Sequence, residues 1–184
     1  MNKFKIDNIL AISQLKSELE VEKASSMVAK FNWMQEEDES LKPLRKHLVF
    51  LIEKYENEHW ADIDDITDKQ MEESEKAEWF TEQHNLFIQR RKEVIRNSLK
   101  ERGLIQKDLA RILDRSVSYL SEQMNGLRQF SYTDIKILSR SFKIPLNDLF
   151  DLYMEENVRE RVKAVIKEYP QAKLELNKED LILA

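Results

Sequence analysis

Ten side chains between Gln106 and Arg128 carry groups suited to recognition rather than to reaction. Ser116, Val117, Ser118, Tyr119 and Glu122 fall on the outer face of one short predicted helix. Hydroxyls and a carboxylate there can exchange hydrogen bonds with base edges, and a Val or Tyr can pack on a thymine methyl. Lys107, Arg115 and Arg128, with Arg111 beside them, offer cations to phosphates. Gln106 and the backbone after Gly126 hold phosphates by hydrogen bonds, and Asn125 completes the set. Catalytic chemistry has far less to draw on. The chain has three histidines and no cysteine, which excludes thiolate zinc sites, disulfides and a cysteine nucleophile. His47 and His84 are isolated, and no HExxH motif is present, so no metal site is expected. Tyr55 and His59 lie one helical turn apart and are read as a core tyrosine and a helix-end histidine. Both glycines are taken by turns, leaving none for a phosphate-cradling loop, and Ser118 and Ser121 have no partner base in view. The chain is therefore read as no enzyme, with no cofactor.

A recognition face needs helices that fix its angle. Phe87, Ile88, Val94, Ile95 and Leu99 predict a helix that stops at Gly103, a left-handed position. Gln106 to Leu113 is a second helix with Leu109, Ala110 and Leu113 inward, and Val117 to Met124 is a third, ending at Asn125-Gly126. Two short helices joined by a tight turn make a helix-turn-helix, whose second helix lies in a major groove. Ser131-Tyr132-Thr133-Asp134 forms a capping box for a fourth helix through Ile135, Leu138 and Phe142, broken at Ile144-Pro145. A fifth element starts near Asn147 and is expected to run on toward Tyr169, with Pro170 as its stop; the tail from Leu174 reads as a short strand or docking segment.

Charge divides the chain. Residues 1–84 hold 11 Lys/Arg against 20 Asp/Glu (−9), residues 85–150 hold 13 against 7 (+6), and residues 151–184 hold 6 against 8 (−2). A basic block between acidic flanks implies a polyanion-binding module joined to parts with another task. The acidic part reads as helical: Asp7 to Phe31 as an amphipathic helix weakened or broken near Ser25-Ser26, Leu41 to Tyr55 as a second, and Trp60 to Glu78 as an acidic connector or loosely held helix. Phe31, Trp33, Trp60, Trp79 and Phe80 are expected in the core or at contacts with a partner. No apolar run approaches a membrane span and no secretory h-region opens the chain, so it is read as soluble and cytoplasmic.

These residues resemble a known family. Arg102-Gly103-Leu104, Gln106 to Ala110, Ser116 to Ser121 and Asn125-Gly126 followed by a basic residue are similar to the XRE family of phage-repressor and Cro-like helix-turn-helix proteins, over roughly residues 88–152. Asp114 stands where that family usually has Gly, in a left-handed turn that Asp tolerates. Leu120 to Arg128 with Ser131, and Leu51 to Trp60, further resemble the HigA-type antitoxin branch. The resemblance implies an all-α chain: a five-helix lambda-repressor-like domain over 85–152, an acidic helical leader over 1–84 serving as partner or dimer interface, and a C-terminal helix and tail over 153–184. It implies a homodimeric repressor on a palindromic double-stranded operator, acting as the antitoxin of a type II toxin–antitoxin pair that neutralises a basic RelE-like ribonuclease toxin and regulates its own promoter. The alternative is a free-standing XRE-type regulator with no toxin.

Overall fold

The computed structural model describes residues 4–34, 39–62, 66–151 and 156–174. Among them are seven α-helices, three short 3₁₀ turns and no strand. The helices are α1 (Glu18–Met34), α2 (Leu41–His59), α3 (Asp68–Glu101), α4 (Gln106–Ile112), α5 (Val117–Met124), α6 (Tyr132–Phe142) and α7 (Glu156–Ile166).

The leader differs from its sequence reading in two places. Residues 6–11 form a 3₁₀ turn followed by extended chain, and α1 begins only at Glu18, then passes unbroken through Ser25-Ser26. The helix survives there because Ser26 Oγ donates to Asn85 Oδ1 of α3 at 3.0 Å, so its hydroxyl does not compete with the backbone. Of the two readings of the acidic stretch, connector or helix, the structure has the helix from Asp68. Thr67 caps α3, accepting the Gln70 N–H at 3.2 Å, and exposed one-turn pairs such as Lys76–Glu72 at 2.7 Å line its first turns. One helix thus runs through position 84, where the charge changes sign.

Two apolar clusters hold the chain. The first joins Ile6, Ile9, Ile12 and Leu15 to the inward faces of α1 and α2, including Phe31, Leu48, Leu51 and Tyr55, and takes in Leu127 from the far side of α5. Buried Glu18 accepts hydrogen bonds from Tyr55 Oη and Trp60 Nε1, both at 3.0 Å, which satisfies the polar ends of two core aromatics. Tyr55 is a core residue and His59 ends α2, its Nδ1 3.0 Å from the Tyr55 carbonyl. Phe31 and Trp60 join the core, whereas Trp33 is 81% exposed and Trp79 is also exposed.

The second cluster draws Ile95 and Leu99 from α3, Leu109, Ala110 and Leu113 around α4, Leu120 and Met124 from α5, Ile135, Leu138 and Phe142 from α6, and then Ile144 and Leu149. All of its members lie within the expected five-helix block. The fifth element is shorter than expected: a 3₁₀ turn at Leu146–Asp148 brings Leu149 into the core, and α7 is a separate helix from Glu156. Leu152 and Tyr153, and the tail beyond Leu174, lie outside the described residues.

Candidate nucleic-acid interface

Three left-handed residues set the angles of α3, α4 and α5. After α3, Gly103 (φ +65°) lets Leu104 N–H reach Leu99 O at 3.0 Å; after α5, Gly126 (φ +77°) lets Leu127 N–H reach Glu122 O at 2.9 Å. Asp114 (φ 54°) does the same after α4, with Arg115 N–H on Ala110 O at 2.8 Å. Each is the six-to-one bond of a Schellman turn, and Asp carries the left-handed strain at the inter-helix position as its tolerance allows.

The start of α5 is fixed by Ser116, whose hydroxyl oxygen accepts the Tyr119 N–H at 3.1 Å. Its inner face buries Leu120, Gln123 and Met124. Gln123 Nε2 donates to Gln129 O and to Asp134 Oδ2, both at 3.1 Å. Asp134, also buried, accepts the Ser131 N–H at 2.9 Å in the expected capping box and faces Arg115 Nη2 at 3.4 Å. One carboxylate therefore ties α5, α6 and the turn before α5 together, which makes the helix-turn-helix a rigid unit.

The ten residues read from sequence divide into two groups. Lys107, Ser116, Val117 and Ser118 are exposed and Gln106 half-buried; the first two positions of α4 are Gln106 and Lys107, and Ser116, Val117 and Ser118 open α5. They offer a cation, amide and hydroxyl groups, and an apolar side chain, the types that hold phosphates and touch base edges. Arg115, Tyr119, Glu122, Asn125 and Arg128 are half-buried and already engaged. The Tyr119 ring lies 5.6 Å from the Arg115 guanidinium and 4.8 Å from that of Arg128. Arg128 Nε donates to Glu122, and its two Nη atoms donate to Asp7. Asn125 Oδ1 accepts from Lys92 Nζ at 2.6 Å while its Nδ2 donates to Ser121 O at 2.9 Å, binding the end of α5 to α3.

Electrostatics follow these contacts. The Arg128 bond, with the guanidinium charge beside it, holds the Asp7 carboxyl below the usual carboxylate range. The hydrogen bonds that Arg128 donates to Asp7 and to Glu122 in turn raise its guanidinium, against the opposing effect of partial burial. Arg91 of α3, buried between the Phe87 and Phe130 rings at 5.3 and 5.0 Å, is lowered by burial. Four residues here escape sequence reading: Asp7, Lys92, Gln123 and Asp134 as network members. Gln123 had a signal, since it sits beside Met124 on the stripe that includes Leu120; Asp7 had none, because 121 positions separate it from Arg128. Among the described residues no group of three or more His, Asp or Glu could hold a metal ion, and no helix is long and apolar enough to cross a membrane.

A helix-turn-helix family model matches residues 95–149, from the last turns of α3 to Leu149. No curated protein and no solved structure matches the chain. Match and geometry agree on this block as a helix-turn-helix of the kind through which transcription regulators bind DNA.

Proposed function

We propose that this chain is a cytoplasmic, sequence-specific transcriptional repressor that binds a palindromic double-stranded operator as a homodimer, with α5 in the major groove. The observation that carries the reading is the exposure of Lys107 at the start of α4 and of Ser116, Val117 and Ser118 at the start of α5, on a helix-turn-helix held rigid by the buried Gln123–Asp134 bond. One such unit buries too little surface to bind tightly alone, so two copies read half-sites about one helical turn apart. The C-terminal region 153–184 is assigned no contact with DNA.

Antitoxin action is the finer form of this reading. It is supported by the −9 charge of residues 1–84 and by the exposed Trp79 on the acidic first half of α3, an apolar anchor among carboxylates suited to a basic ribonuclease toxin. A free-standing regulator would lack such a partner. A gel shift and footprint on the protein's own promoter test the operator reading. Ser118→Ala is expected to relax preference at one base pair, costing about 1–3 kcal/mol there. An unchanged footprint would refute the groove assignment. Pull-down from the native host tests the partner: recovery of a small basic protein supports the antitoxin, and recovery of only a second copy supports the free-standing regulator.

A further inference from the structure

Arg128 follows the Schellman turn at the end of α5, where a helix-turn-helix meets the sugar–phosphate backbone in the reading proposed above. Its guanidinium is occupied on both edges. Nε faces Glu122 of α5, and the Nη edge faces Asp7 of the 3₁₀ turn Ile6–Ala11, with Nη1 donating to Oδ2 and Nη2 to Oδ1, the latter at 2.7 Å. Tyr119 covers one face of the guanidinium at 4.8 Å. A DNA phosphate uses the same two-nitrogen edge in the same planar, bidentate way. Carboxylate and phosphate therefore compete for one position.

Charge points the same way. Asp7 and Glu122 bring two carboxylates against the one Arg128 guanidinium, so the cation that would meet a phosphate is already neutralised where it stands. Asp7 is delivered there by packing: Ile6 and Ile9 on either side of it are buried in the leader core, and that core includes Leu127, the neighbour of Arg128. The Asp7 side chain itself is 65% exposed, so it leaves into water without disturbing those anchors.

We propose that Asp7 is an internal phosphate mimic that closes the Arg128 fork when DNA is absent, and that binding exchanges its carboxylate for a backbone phosphate. Glu122 keeps its hold on Nε throughout and aims the fork. The leader thereby lowers the DNA affinity of a domain distant in sequence. This rests on the DNA reading of α4 and α5, and the experiment separates the two.

The test uses the full chain and fluorescence anisotropy on two duplexes, its own promoter and an unrelated sequence of equal length. Asp7→Asn keeps the size and removes the charge. It is expected to tighten binding to both duplexes roughly three- to tenfold, the scale of losing an exposed but bidentate ion pair. The log–log salt slope should stay close to the parent's, because Arg128 meets the same phosphate in both complexes once the carboxylate has left. Asp7→Glu, which keeps a carboxylate, should stay within roughly twofold of the parent on the same scale. In an Arg128→Ala background Asp7→Asn should lose its effect. A silent Asp7→Asn in a chain that binds its promoter overturns the mimic alone. An undiminished gain in the Arg128→Ala background also overturns it, because the charge would then act at a distance. If neither parent nor variant binds either duplex, the DNA reading fails and the mimic falls with it.

Discussion

The two glycines offer a controlled comparison, since each sits two residues past the end of a helix with the same left-handed backbone and different surroundings. A Cβ at Gly103 meets nothing within 4 Å, whereas a Cβ at Gly126 meets Ile88 Cδ1 at 3.0 Å and its Cγ1 and Cγ2 at 3.1 Å. A non-glycine L-residue in the left-handed region costs about 1–2 kcal/mol. The stiffer unfolded chain of an alanine variant returns about 0.4–1 kcal/mol. Gly103→Ala should therefore destabilise by about 0.5–1.5 kcal/mol. Gly126→Ala adds crowding against a buried side chain on another helix, worth about 1–2 kcal/mol more, for a total of about 1.5–3.5 kcal/mol. Urea unfolding followed by circular dichroism measures both. The excess should vanish in an Ile88→Ala background, which removes all three opposing atoms, so a double-mutant cycle isolates it. Equal costs for the two substitutions, or an excess that survives Ile88→Ala, would refute the packing account. Asp114→Gly relieves left-handed strain but loosens the unfolded chain, and should change stability by less than about 0.5 kcal/mol.

Asp134→Ala should cost about 1–3 kcal/mol in urea midpoint measurements, because buried Gln123 and the Ser131 N–H both lose their acceptor. A loss under about 0.5 kcal/mol would mean the network is not holding α5. Leu127→Ala should cost about 2–4 kcal/mol and expose the Ile6–Ala11 turn to faster hydrogen exchange, since this one side chain links the second helix-turn-helix arm to the leader core. Lys30, half-buried, is lowered to about 8 from 10.5 by burial and then by Arg91, and Lys92 lines the same cavity and is lowered too. The unfolded chain thus binds more protons across that interval, so stability rises with pH from about 8 to 10.5. Lys30→Met should flatten the rise, and an unaltered slope in urea titrations at several pH values would count against it. A chain of residues 85–184 should remain helical, because the second cluster needs no residue before Val94; loss of its far-ultraviolet helical signal would show that the leader is required for folding.

How far the sequence could be read depended on the range of each interaction. The helix-turn-helix was legible because its determinants are local: Gly103 and Gly126 at left-handed positions, the Ser131–Asp134 box, and inward residues at three- and four-residue steps. Even the Asp114 substitution could be judged, since its tolerance for positive φ is a property of the residue itself. The leader was less legible because one face of α1 meets α2 and another meets α3. Ser25-Ser26 looked like a break while the Asn85 partner that absorbs one hydroxyl lay 59 positions away.

The contact residues show the limit most sharply. Residue type and helical spacing put Tyr119 and Glu122 on the outer side of α5 and Arg128 just after its closing turn, and the structure has all three half-buried. What spacing cannot convey is whether an outward cation is still available. Arg128 is claimed by a carboxylate from the opposite end of the chain, brought there because Ile6 and Ile9 must be buried and Leu127 shares their core. The net charges of −9 and +6 in the two segments made some such pairing electrostatically favourable, yet long-range Coulomb attraction selects no partner by itself. Selection comes from apolar packing, which fixes the 3₁₀ turn beside the loop after α5 and leaves one aspartate within reach of one arginine. The position of a charge in this protein is thus decided by the hydrophobic residues on either side of it, and those are the residues whose replacement should alter DNA binding without touching DNA.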